Sequence, residues 1–239
     1  MQDFPKLLDP SSAVGFTSFD RWFSFSPVKN AIADAIKAHQ SGVYAASPGA
    51  GEAAVYEAHG RLLRLAGADV AEPPPAAEYL GLPLKLLPAI SLAPRFAISV
   101  AQALPPPPHG IHRPPSLPPR PPTPSVPPAQ LFARVRGGQA VKVSARSSLV
   151  IDGDVTLTSL DLDGALAIIA ADGVHVEVRE CVVKNKGWSF ERLGEEEAAA
   201  LPEAIAIRGY RVHKAEGVEV RVTEPGRYCL TGAGELQRV

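Results

Sequence analysis

The chain has almost no surplus charge of either sign: 24 lysines and arginines stand against 25 aspartates and glutamates, a formal net charge of −1 over 239 residues. No global field draws it to nucleic acid or to an acidic membrane surface, so any recognition of anions has to be local. It lacks an apolar run of the ~18 to 20 residues that a bilayer-spanning helix needs, and a membrane segment is not expected. Cysteine is scarce, with Cys181 and Cys229 far apart, and the first residues show neither the charged nor the apolar region of a secretory leader. The expectation is a reducing, cytoplasmic location with free thiols that serve as buried filler. The length leaves room for one large domain or two small ones, with enough apolar residues for a core.

Proline, by contrast, is abundant at 25 residues, and it crowds between Pro105 and Pro128 in PPPPHGIHRPPSLPPRPPTPSVPP. Proline has no backbone donor and restrains the residue before it, so residues 101–130 are expected to form a disordered, polyproline-like linker or insertion. Within it, RPPSLPPRPP from Arg113 to Pro122 has the PxxP spacing that aromatic-lined grooves accept, against the plainer reading of a spacer.

The segment divides a helical half from a β-rich half. In the first, NAIADAIKAH follows Lys29, and in EAAVYEAHGRLLRLAG the residues Val55, His59, Leu62, Leu63 and Ala66 recur at helical spacing before a stop at Gly67. In the second, Val141 and Val143, Leu149 and Ile151, Val155 and Leu157, Leu160 and Leu162, Leu166 and Ile168, and Val174, Val176 and Val178 alternate with period two, the mark of strands. These units recur about every six residues, with DGD, DLDG and ADG between some of them, which suggests stacked coils of a β-helix. A meander or sandwich is the alternative. Residues 195–214 predict an acidic loop or short helix followed by a strand, and the polar, glycine-rich C-terminus is expected to fray.

Most local patterns favour structural readings. Gly49, Gly51 and Ala54 have dinucleotide-fingerprint spacing, but no convincing strand precedes them, so a loop entering a helix is preferred. His109 and His112 lack the companions of a zinc site. Asp161 and Asp163 suit solvent-facing turns better than a catalytic dyad, and Glu195 to Glu197 suits a solvated face. In FSFSPVKNAI, Ser26 is the expected cap and Pro27 the first residue of a helix, which places Lys29 in its first turn. A lysine has the wrong sign for the positive end of a helix dipole unless it faces an anion such as phosphate.

Several blocks in order along the chain carry a resemblance: MQDFPKLLDPSSAVGFTSFDRWFSFSPVKN, SPGAGEAAVYEAHGRLLRLAGADVAEP, LDLDGALAI, VVKNKGWSFERL, PEAIAIRGYRVHK and TEPGRY. Together they resemble the C-terminal portion of UDP-sugar pyrophosphorylases, the UTP-monosaccharide-1-phosphate uridylyltransferases. The resemblance implies an α/β fragment, the end of a nucleotide-sugar transferase catalytic domain, over residues 1–100. A mostly-β, β-helix-like C-terminal domain would follow at 131–239, beyond the proline-rich insertion at 101–130. It implies transfer of uridylyl from UTP to a sugar 1-phosphate with magnesium, and makes Lys29 the phosphate-binding residue, with Lys6 a second candidate for the same anionic neighbourhood. The glycine-rich UTP loop, the magnesium ligands and most sugar contacts of the family have no counterpart here. The chain alone is therefore expected to be inactive, with its helices packing on a sheet it does not contain. The competing reading is a non-catalytic β-helix module with a proline-rich arm for a partner.

Overall fold

The structure, a computed structural model, describes residues 7–9, 11–12, 15, 18–74, 77–93 and 140–239. The proline-rich segment, with its PxxP motif, His109 and His112, lies outside the described residues. The described part is mixed α/β and mostly strand, arranged in several sheets with no closed barrel. None of its helices is long and apolar enough to cross a membrane.

Three helices precede the strands: α1 (Arg21–Ser24), α2 (Ile32–Gln40) and α3 (Pro48–Leu65). The start of α3 follows from its sequence, because Ser47 accepts the Ala50 N–H at 3.2 Å as a cap and Pro48 occupies the first helical position. Of the expected apolar stripe, Leu63 and Ala66 are buried, but Val55 is 45% exposed. The contact face of α3 is set instead by Gly60, where a Cβ would stand 3.7 Å from Ile90 Cδ1 and 4.0 Å from Val70 Cγ1. This side of the helix packs on two strands, β1 (Asp69–Val70) and β4 (Ala89–Leu92). Between them a short hairpin pairs β2 (Ala77–Tyr79) with β3 (Leu82–Leu84). Half-buried His59 is held below the usual imidazole range by desolvation, and its Nδ1 lies 3.2 Å from the Leu92 amide and 3.1 Å from the Ile90 carbonyl. The helix thus packs on strands of its own chain, not on a sheet from elsewhere.

Beyond the proline-rich segment come β5 (Val141–Val143), β6 (Ser148–Asp152), β7 (Asp154–Leu157), β8 (Leu160–Asp163), β9 (Ala165–Ala170) and β10 (Val174–Lys184). Then follow β11 (Trp188–Arg192), β12 (Tyr210–Lys214), β13 (Val218–Val222), β14 (Gly226–Gly232) and β15 (Glu235–Arg238). The strands form parallel stacks. In one, Val141 lies opposite Leu160 and Leu160 opposite Cys181, with β1 on the outer edge of β5. In the second, β4, β6, β9 and β13 follow one another, Leu149 facing Leu166 and Leu166 facing Val218. In the third, Val155 lies opposite Val176, and Val176 opposite Tyr228. β10 serves two stacks because its register shifts between Val178 and Cys181, where Glu180 takes a φ of 44°. From β5 to β10 no strand pairs with the next one in sequence, whereas a meander pairs neighbours; the meander is therefore excluded for these six strands.

Every residue of the period-two pattern is buried, and together these side chains form one core with Leu63, Val70, Ile90 and Leu230. Residues from both sides of the proline-rich segment share it. Cys181 is part of this core, where burial pushes its thiol up to about 11, and Cys229 is half-buried; both are free thiols.

Between β10 and β13 the chain leaves the stacks. β11 pairs antiparallel with β12, Arg192 opposite Tyr210, and the short helices Glu195–Ala200 and Glu203–Ala206 lie between them. The C-terminus is not a fraying tail, because β14 turns back and pairs with β15, Thr231 opposite Glu235.

Candidate functional site

Three segments distant in sequence meet at the first turns of α3. The first carries Lys29. Contrary to the expected helix start at Ser26 and Pro27, α2 begins at Ile32 with Ala31 at its cap. The physical reason is tertiary: the Ala46 carbonyl accepts the amides of both Lys29 and Asn30, at 3.0 and 3.1 Å, and Asn30 Nδ2 donates to the Ala45 carbonyl at 2.8 Å. These bonds hold residues 29–30 against 45–46, so the amides of Lys29 and Asn30 are not free helix-start donors. Its side chain is exposed and forms no ion pair among the described residues.

The second segment is the α3 start itself. Gly49 and Gly51 are buried, and both places where a side chain would go are taken. A Cβ on Gly49 would meet Leu84 Cδ2 at 2.7 Å and the Arg208 carbonyl at 3.0 Å. One on Gly51 would overlap Val28 Cγ2. The fingerprint glycines therefore admit protein at close range, which agrees with a loop entering a helix.

The third segment is the approach to β12. Arg208 forks onto Glu52, donating from Nε at 3.0 Å and from Nη2 at 2.7 Å, and its guanidinium lies 4.6 Å above the Tyr210 ring. Tyr56, one turn after Glu52, donates its hydroxyl to the same carboxylate at 2.6 Å. The Tyr210 hydroxyl is buried alongside without a well-formed hydrogen bond. Burial pushes Glu52 up, but the hydrogen bonds from Arg208 and Tyr56, with the Arg208 charge, outweigh it and hold the carboxyl below the usual range. Burial and the Glu52 charge raise both tyrosines, so they stay neutral.

A pH dependence follows. A carboxylate depressed in the folded state contributes stability that is full above its unfolded pKa and is lost as pH falls through the folded one. The stability difference between wild type and Glu52→Gln should therefore narrow as pH is lowered from ~5 to ~3. Thermal melts of both proteins across that window check this, and curves that stay parallel would contradict it.

Beside the Lys29 segment lies an open cleft of about 230 Å³ lined by Arg21, Trp22, Phe25, Ser26, Tyr44 and Glu57. Its Arg21 sits 5.7 Å from the Tyr44 ring centre, and Arg61, which does not line the cleft, lies 4.7 Å from the ring centre of Trp22.

The other candidates are dispersed. Lys6 lies outside the described residues. Asp161 sits 3.7 Å from Lys184, and Asp163 is bound by Arg146 and by Ser144, each at 2.7 Å, so both acids tie strand ends together. The hydrogen bonds from Arg146 and Ser144 lower the Asp163 carboxyl. Glu197 pairs with Arg211. Among the described residues no three histidine, cysteine or acidic side chains converge as a metal would require. The sequence alone does not single out Glu52, Tyr56, Arg208 or Tyr210. Only the one-turn spacing of Glu52 and Tyr56 is visible locally, since Arg208 lies 156 positions further on.

No family model matches the chain. Among curated proteins it is similar to a UDP-sugar pyrophosphorylase from Arabidopsis thaliana, 31% identical over 232 residues, covering 96% of this chain and 32% of that protein. Similar proteins of the same name occur in rice. That of Oryza sativa subsp. indica is 32% identical over 221 residues, and that of subsp. japonica 31%; each match covers 92% of this chain and 30% of the relative. The chain spans about a third of the length of the curated relatives it matches.

Proposed function

Because the chain is related by sequence to the UDP-sugar pyrophosphorylase family along nearly its whole length, we propose that it corresponds to the C-terminal portion of such an enzyme. The reaction is transfer of uridylyl from UTP to a sugar 1-phosphate, giving a UDP-sugar and pyrophosphate. In this reading the parallel stacks are coils of a β-helix-like C-terminal domain. In the same reading residues 1–100 are the end of the catalytic domain, 101–130 a proline-rich insertion and 131–239 the C-terminal domain.

Lys29 takes the phosphate-facing role. The observation that supports it is the contrast between a backbone tied to Ala46 and an exposed ammonium with no ion pair among the described residues. A lysine fixed at its root and open at its tip can meet charge that develops on phosphate oxygens as the sugar phosphate attacks. Magnesium is expected for the complete enzyme. No cluster of histidine, cysteine or acidic side chains among the described residues fits it. The chain by itself is expected to be inactive, in the cytoplasm as elsewhere, until UTP and magnesium are held by the part of the fold that it does not match.

A graft tests this. The matched third of the Arabidopsis relative is replaced by this chain, and UDP-sugar formation from UTP and glucose 1-phosphate is followed with magnesium. Turnover is the expected result. A folded graft that binds UTP but makes no UDP-sugar would favour the non-catalytic module with a proline-rich arm.

A further inference from the structure

We propose that Arg208 is a positioning residue for Lys29, acting through Glu52 and the first turns of α3. The inference rests on the phosphate-facing reading of Lys29 and adds the element that sets the lysine's place.

The path consists of direct contacts. Arg208 grips Glu52 by two hydrogen bonds, and its own carbonyl faces Gly49 across a gap too small for a side chain. Residues 49–52 form the first turns of α3, capped by Ser47. The carbonyls just before that cap, of Ala45 and Ala46, hold the Lys29 amide, the Asn30 amide and the Asn30 side chain. Val28 closes the contact by packing on Gly51. The hydrogen bonds and packing that fix the Lys29 backbone thus lie on residues 45–51, and the segment before β12 fixes those residues.

The chemistry of the clamp suits alignment. A planar guanidinium that meets a carboxylate with two parallel bonds fixes angle as well as distance, which a single-point ammonium cannot do. The Tyr210 ring beneath Arg208 and the Tyr56 hydroxyl on Glu52 restrict both partners further. Three of the sequence blocks that carry the family resemblance, FSFSPVKN, SPGAGEAAVYEAHG and IRGYRVHK, converge here.

Native-state hydrogen exchange on the isotope-labelled full chain tests the proposal. In Arg208→Ala the Lys29 and Asn30 amides should exchange at least about tenfold faster, while amides of β9 keep wild-type rates. Arg208→Lys, with its charge but no fork, should recover part of the protection. Unchanged rates at Lys29 and Asn30 would overturn the proposal, and so would an equal acceleration throughout β9, which marks general destabilisation. If Arg208→Ala does not fold, Glu52→Gln is compared in the same way and should give the same local pattern.

Titration of the same samples with pyrophosphate, followed at the Lys29 and Asn30 amides, completes the test. Weaker binding in Arg208→Ala than in wild type is expected, and equal affinity would overturn the positioning role. A wild-type chain that gives no pyrophosphate response removes the phosphate reading of Lys29 instead, and the clamp is then judged on exchange alone.

Discussion

Lys29→Ala, introduced into the graft that carries this chain on the Arabidopsis relative, should lower turnover roughly 10²- to 10³-fold, the usual loss when one preorganised charge or donor at a developing anion is removed. The loss should appear mainly in kcat, because an interaction that strengthens as charge develops contributes to the transition state more than to substrate binding. The fold should be unaffected. The Lys29 side chain is exposed, and the segment is held by backbone bonds to Ala46 that alanine keeps. Steady-state kinetics with UTP and glucose 1-phosphate, together with a melting curve, separate the two effects. A kcat within about twofold of the unmodified graft, with an unchanged melt, would remove Lys29 from the site.

The strands are legible in the sequence because burial on one side of a ribbon imposes period two, and each apolar position from Val141 to Val178 in that pattern is buried. Their partners are less so. Alternation states which face is inward but not which strand lies alongside, and Leu149 faces Leu166 of β9 while the nearer β7 is passed over. Capping rules misplace the start of α2 because they count local donors, whereas Lys29 and Asn30 give theirs to a carbonyl 16 to 17 positions away. Helical spacing puts Val55 inward, but the side of α3 that carries Gly60 and Leu63 is the one that faces the strands. The family resemblance singles out Lys29, and the clamp that holds its surroundings is invisible to it, since Glu52 and Arg208 have no sequence relation until the fold joins them.

Of the aspartate–glycine pairs between strands, the one at Gly153 carries the strongest structural expectation, because there the chain runs against the backbone of a neighbouring strand. Gly153, in the DGD between β6 and β7, has a φ of +105°, and a Cβ there would stand 2.2 Å from the Ala170 carbonyl oxygen and 3.0 Å from its carbon. Those are backbone atoms at the end of β9, whose register against β6 is fixed up to Asp152 opposite Ile169, so the obstacle cannot rotate away. Gly153→Ala should therefore combine backbone strain with overpacking, each about 1–3 kcal/mol, for a loss of roughly 2–5 kcal/mol. In a chain of this size that is a fall in Tm of about 5–15 °C. Gly81→Ala isolates the two contributions, because Gly81 has a φ of +80° in the β2–β3 turn, and a Cβ there would have nothing within 4 Å. It should show the strain without the clash and lose distinctly less. Equal losses at the two sites in urea denaturation would mean that the turn at Gly153 yields, and that its close approach to the Ala170 backbone does not constrain the chain there.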